Sequence, residues 1–322
     1  MKRPYFFELL VLANLAFVAL VAHRSAGLLG GVARVLGGLL VVVAVQAGIG
    51  IGVRVVVALV RRDRAYLRRI RRRAWILDTL RLVVAGALMI FGYGWLKLVV
   101  PLYRAANFDA ALWELDRALF FGLSPTVFFL DLFGNSGALR VIDWSYANIF
   151  YVSMLVAMAY FLSHPSRRIR IAFANGNAAL WIAGAWLYFL VPSLGPAYRF
   201  PDVWFPFAGS LTITQNLQAL LMRNWQNVLR AWHGEAFGPI SLALGIAAFP
   251  SLHVAFQTYV FFWMRRLWRA GQVLFGVFAF TIFLGSMITG WHYLVDSLAG
   301  VVMAFVAYRL AIRPCFRLFS RA

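Results

Sequence analysis

Cysteine is almost absent from this 322-residue chain, with Cys315 alone near the C-terminus. An intrachain disulfide is therefore impossible, no cysteine cluster offers a metal site, and the one thiol reads as passive. Acidic residues are scarce as well, 11 against 31 lysines and arginines, which leaves a net charge of +20. In a soluble protein that balance points to nucleic acid. Here the basic residues lie between apolar runs, so topology and anionic lipid headgroups account for them and no nucleic-acid partner is expected. The sequence also lacks internal repeats, low-complexity tracts and a small-x-small cleavage site behind its first apolar run. Lys2 and Arg3 ahead of that run thus predict an uncleaved signal anchor.

What the chain has in excess is apolar length. Hydrophobic residues make up 63%, with a mean hydropathy of +0.78, more than a water-soluble core of this size can hide. Apolar runs fall at roughly 5–23, 35–60, 76–100, 141–163, 171–192, 252–264, 272–291 and 293–312. At the usual threshold of roughly twenty residues these give about eight spans, the sixth being short. Backbone polar groups in lipid must be satisfied within the segment, so the spans are helices. The fold expected is all-α, a polytopic transmembrane bundle.

Loop charge sets the expected orientation. One set of loops holds the arginine run from Arg61 to Arg73, then Arg167, Arg168 and Arg170, then Arg265, Arg266 and Arg269, with Arg313, Arg317 and Arg321 in the tail. The opposite loops are longer and only sparsely charged. The positive-inside bias predicts both termini in the cytoplasm. Two of the opposite loops carry helical patterns. In 104–140, Leu112, Leu115 and Leu119 share one side while Asp109, Asp116 and Arg117 point elsewhere. In 193–250, Leu217, Leu220, Leu221, Trp225, Val228 and Leu229 recur at helical spacing, as in a helix lying at the membrane interface. Such a helix serves either as a lid or as a structural cover.

Polar residues at the span ends fall into three clusters. Phe249-Pro250-Ser251-Leu252-His253 precedes the sixth run and reads as a helix start with Ser251 at or near the N-cap. A helix start offers free N–H groups to an anion, and His253 lies beside them; the alternative is an interfacial histidine bonded to a carbonyl. Gly290-Trp291-His292-Tyr293-Leu294-Val295-Asp296 joins the last two runs, with His292 and Asp296 four apart on one helical face. A carboxylate there can fix the imidazole tautomer and leave the other nitrogen as a nucleophile or base. A structural His–Asp pair is the competing reading. Pro192 to Arg199 follows the fifth run, and Arg199 is either a phosphate ligand or a snorkelling side chain. With the orientation from loop charge, His253, His292, Arg199, Lys97 and Arg104 all arrive at the non-cytoplasmic face.

FPSLH at 249–253 and GWHYLVD at 290–296 resemble the second and third signature motifs of the type 2 phosphatidic acid phosphatase superfamily. The segments 97–122 and 195–201 resemble its inositol phosphorylceramide synthase-like branch, and the likeness runs over roughly 80–313. The resemblance implies a six-helix catalytic core over 76–313, preceded by a two-helix extension with an arginine-rich loop over 1–75 and followed by a tail at 314–322. It implies His292 as the nucleophile of a phosphohistidine intermediate, Asp296 orienting it, and His253 protonating the leaving alcohol. Ser251, Arg199, Lys97, Arg104, Tyr198 and Tyr293 would bind substrate. The expected substrate is a phospholipid or polyprenyl phosphate, with a polyol or lipid alcohol as possible acceptor, and neither metal nor cofactor. Ser286 stands where the superfamily has an arginine, and Pro192 where it has a lysine. The inositol phosphorylceramide synthase branch shares the first departure. Arg199 is the leading phosphate ligand, ahead of Lys97 and Arg104.

Overall fold

The computed structural model describes residues 4–313, so Cys315 and the predicted tail lie outside the described residues. Those residues form helices throughout and contain no strand. The eight apolar runs become α1 (Phe6–Ala22), α2 (Val32–Val60), α4 (Arg73–Tyr103), α7 (Gly137–Leu162), α8 (Arg167–Leu190), α11 (Leu252–Leu267), α12 (Arg269–Ile288) and α13 (Leu294–Ile312). Between them run the shorter helices α3 (Arg64–Ile70), α5 (Asp109–Leu119), α6 (Pro125–Phe133), α9 (Pro196–Arg199) and α10 (Thr212–Trp232).

Six of the eight long helices are long and apolar enough to cross a membrane by themselves: α1, α2, α4, α7, α12 and α13. The other two fall short for a physical reason. Helix α11 has only 16 residues and packs against α7, α8, α12 and α13. Shielded by these neighbours, it can hold polar groups that lipid would penalise, provided they find partners. Gln257 donates to Ser153 at 2.5 Å and Tyr259 donates to the Phe173 carbonyl at 2.8 Å. Helix α8 opens on three arginines and buries Asn175 and Asn177.

The bundle has two chemically distinct ends. At one, α1 and α8 begin beside the start of α4. Tyr5 donates to Asp78 at 2.5 Å, Arg167 pairs with Asp78 at 2.7 Å, and Arg81 pairs with Glu8. Arg54 and Arg69 bond the α7–α8 connection there. At the other end, α4 and α8 finish where α11 and α13 begin, and α5, α9 and α10 cover them.

Helix α5 turns its aspartates inward. Asp109 and Asp116 are buried, while Leu115 and Leu119 stand 43% and 49% exposed. Only Leu112 of the leucine side turns inward. Buried carboxylates need donors, and these face the N–H groups of other segments, as described below.

Candidate active site

Helix α11 starts where the sequence places it. Ser251 is the N-cap, its Oγ accepting from the Val254 N–H at 3.4 Å, and its own N–H donates to the Asp296 carbonyl at 3.0 Å. That bond holds the starts of α11 and α13 together. Gly300 lets them approach closely, since a Cβ there would lie 2.5 Å from the Ser251 oxygen. His253, in the first turn, packs edge-on against Phe150 with ring centroids 4.2 Å apart.

Helix α12 ends in a Schellman motif. Gly290 takes φ +79°, its N–H donates to the Met287 carbonyl, and Trp291 N–H donates to the Ser286 carbonyl at 3.0 Å. His292 N–H reaches the same oxygen at 3.0 Å, which fixes the residue at the turn. Its Nδ1 lies 2.9 Å from the Ala248 carbonyl. A carbonyl can only accept, so Nδ1 carries the proton and Nε2 keeps its lone pair. Burial, then the nearby Lys97 ammonium, pull the His292 pKa down to about 3 against the opposing bond to Ala248. The imidazole is therefore neutral at physiological pH, as a nucleophile must be. The rings of His253 and His292 stand 5.8 Å apart.

Ala248 is itself held. Its N–H donates to the Ser193 carbonyl, and Phe249 N–H donates to Ser193 Oγ, both at 3.0 Å. The α8–α9 connection thus braces the carbonyl that orients His292. Three aspartates brace the surrounding segments. Asp109 accepts from the N–H groups of Leu194 and Gly195 at 2.8 and 2.9 Å and from Tyr293 Oη at 2.8 Å. Asp116 accepts from Leu294 and Val295 N–H at the start of α13, and Asp143 from Ile213 and Thr214 N–H at the start of α10. Each carboxylate meets the positive end of another segment's helix or turn. Burial nevertheless pushes Asp116 up to about 6 against these two bonds, with Asp296 nearby adding to the rise.

His253, His292 and Lys97 line one cavity of about 680 Å³. Lys97 Nζ lies 5.4 Å from the centre of the Tyr188 ring, and no acidic side chain among the described residues pairs with it. Two imidazoles and an ammonium without an acidic partner among the described residues face one chamber, an arrangement whose chemistry suits an anion and proton exchange. The sequence model of the PAP2 superfamily matches residues 110–310, well over half of the chain. The chain belongs to the PAP2 superfamily. No curated protein and no solved structure matches it.

PAP2 membership makes the protein an integral membrane protein of a lipid-phosphate-processing superfamily, and both histidines fall inside the matched segment. Lys97 and Arg104 precede it. The remaining residues expected at this PAP2 site are placed unevenly. Asp296 stands four residues from His292, yet its Oδ2 is 3.5 Å from Nδ1, and it accepts instead from Tyr293 N–H at 3.0 Å, capping its own helix. Its position in the first turn makes that local bond shorter than the reach to the ring, so the Nδ1–H donates to the Ala248 carbonyl instead. Ser251 is fully buried and occupied as a cap. Tyr293 is spent on Asp109, and Tyr198 donates to the Gln218 carbonyl at 3.1 Å. Arg199 is exposed on α9 beside Phe200, and Arg104 closes α4 near the Phe189 ring. Neither arginine lines the cavity. Ser286, at the superfamily arginine position, is buried, its Oγ donating to the Phe283 carbonyl with Ser297 Oγ at 3.1 Å. Among the described residues no group of three His, Cys, Asp or Glu side chains is arranged to hold a metal ion.

The bracing role of Ser193, Ala248, Asp109, Asp116 and Asp143 does not follow from the sequence. The available signal was scarcity: in a chain with 11 acidic residues, three aspartates in the non-arginine loops and at the start of α7 invite a search for backbone donors.

Proposed function

We propose that the protein is a lipid phosphotransferase that moves a phosphoryl or phospho-alcohol headgroup through a phosphohistidine on His292. The observation that carries this reading is the 5.8 Å approach of the two imidazoles, one of them with a proton-bearing Nδ1 and a free Nε2. In the first displacement Nε2 of His292 attacks phosphorus, and the bond to the leaving alcohol breaks as His253, which takes up a proton once the phosphate anion is bound beside it, delivers that proton to the leaving oxygen. In the second, His253 takes a proton from the incoming alcohol, which attacks phosphorus and releases His292. Lys97 offsets the negative charge on the non-bridging oxygens. No metal is required by this scheme.

The transfer reading follows the motif likeness to the inositol phosphorylceramide synthase branch. Water in the acceptor's place gives the lipid phosphate phosphatase reading, as for phosphatidic acid or a polyprenyl diphosphate. The bundle end bearing the histidines is assigned to the extracytoplasmic side, because Arg61–Arg73, Arg167–Arg170 and Arg265–Arg269 crowd the opposite end. Residues 76–313 constitute the catalytic unit, with 1–75 as an addition.

A labelled phospholipid incubated with purified protein, with and without a polyol such as inositol, tests the reading. Polyol-dependent formation of a labelled headgroup product is expected, and release of inorganic phosphate alone would defeat transfer. Activity that persists in His292→Ala and resists vanadate would remove the phosphohistidine, and full inhibition by a chelator would remove metal independence.

A further inference from the structure

The chamber that contains the histidine pair extends far beyond it, and one of its walls lies outside the family match. Helix α2 contributes Arg34, Val35, Gly38, Leu39, Val42 and Gln46. Twelve residues separate Arg34 from Gln46, about 18 Å along the helix axis. On the facing helix α7 the lining runs from Tyr146 to Met158, the same number of turns. Between these walls the lining is apolar and aromatic. Polar groups return at the inner end, where Gln46 of α2 and Asn177 of α8 line the cavity and Asn177 Oδ1 is buried without a hydrogen-bond partner. The volume of about 680 Å³ is that of a binding chamber for one ligand.

We infer that α2 is a substrate-binding helix: the reacting lipid inserts one long apolar chain between α2, α4 and α7, and Gln46 with Asn177 sets the depth it reaches. The inference rests on the histidine pair being the reacting centre, which fixes the phosphate end of the ligand beside Lys97. Continuity decides the occupant. The chamber also opens under α10, where Thr214, Leu217 and Leu221 line it, so the shaft is the inward route for a chain whose phosphate sits at Lys97 and the two imidazoles. A polar terminus of chain atoms would leave the shaft unfilled, whereas an alkyl or prenyl chain buries it. Gln46 and Asn177 then mark a floor, because an apolar chain lying against their buried amides offers them no hydrogen bond.

Gly38 makes the idea testable with little risk to folding, since nothing lies within 4 Å of a side chain's first carbon at that position. Replacing glycine inside a helix also raises helix propensity. The full chain in lipid nanodiscs would be irradiated with hexadecyl phosphate carrying a diazirine at the chain terminus, and adducts mapped by mass spectrometry. Adducts clustered within a turn of Gln46, Met158 and Asn177 are expected, with at least a fivefold loss in Gly38→Phe. Leu39→Trp should give the same loss. Adducts confined to outward positions such as Val53 and Val56, or unchanged by both substitutions, would overturn the inference. Loss of the labelled headgroup from a dihexanoyl phospholipid, as polyol product or as inorganic phosphate, compared between wild type and His292→Ala, reports on the histidine pair alone. A failure there leaves the adduct map to decide the chamber.

Discussion

The two ends of the bundle use their buried aspartates in opposite ways. At the arginine-rich end Asp78 and Glu8 meet guanidinium groups, and Tyr5 shares Asp78 with Arg167. At the histidine end Asp109, Asp116 and Asp143 meet backbone N–H groups. The difference teaches what keeps a cation available. Where acids are spent on helix starts, Lys97 has no ion pair and can face an anion in the cavity. Where acids are spent on arginines, charge is neutralised locally and the helices are clamped.

The comparison can be broken most directly at His292. His292→Ala should lower turnover at least roughly a thousandfold, as expected for loss of a nucleophile, while thermal unfolding of the purified protein stays near wild type. Lys97→Met comes next, with an expected loss of about a hundredfold in kcat/KM, the magnitude typical of removing one charge-stabilising donor. Lys97→Arg should recover part of it and Arg199→Met should change little, and the reverse order would restore Arg199 as the phosphate ligand. At the clamped end, Asp78→Ala strands Arg167 and Tyr5, so unfolding should shift by about 3 kcal/mol with kcat nearly unchanged. Asp116→Ala leaves two N–H groups at the start of α13 without acceptors, costing about 2 kcal/mol. Unlike Asp78→Ala it should also reduce kcat, because the turn bearing His292 leads directly into that helix. A matching kcat loss in both aspartate variants would erase the contrast.

The smallest effect concerns pH. The folded His292 pKa of about 3 lies below the ordinary 6.5. Between these values the unfolded chain binds a proton that the folded site refuses, so the stability present above pH 6.5 is lost as pH falls. From pH 6.5 to 5 this amounts to roughly 1.5 kcal/mol. Denaturant titrations at the two pH values should show that loss in wild type and less of it in His292→Ala.

Much of the architecture was legible because lipid imposes a simple demand: each long apolar run must be a helix, and all eight are. Less legible was which helices would be shielded, since the polar content of α8 and α11 acquires its meaning only from their neighbours. The histidines were legible because both stand at helix ends, where local rules for caps and turns operate. Their supports were not. The partner of His292 is the carbonyl of Ala248, 44 positions away, and every residue carries such a carbonyl. Asp109 and Asp116 read only as lying off the leucine side of a helix, because their donors belong to residues 194–195 and 294–295. Asp296 read as a partner of His292 from its spacing and from the family resemblance, while its nearest donor is the N–H of its own helix cap.

The contact between Gly300 and Ser251 carries a consequence for divergence. With backbone lying on backbone, the two helices that position the histidines have no side chain between them to resize, so the imidazole gap is inherited as a fixed dimension. The shaft beside it is walled by ordinary side chains on a helix outside the family match. Selection can therefore lengthen, narrow or re-line the cargo space while the reaction geometry stays untouched, and new lipid preferences can arise without relearning the chemistry.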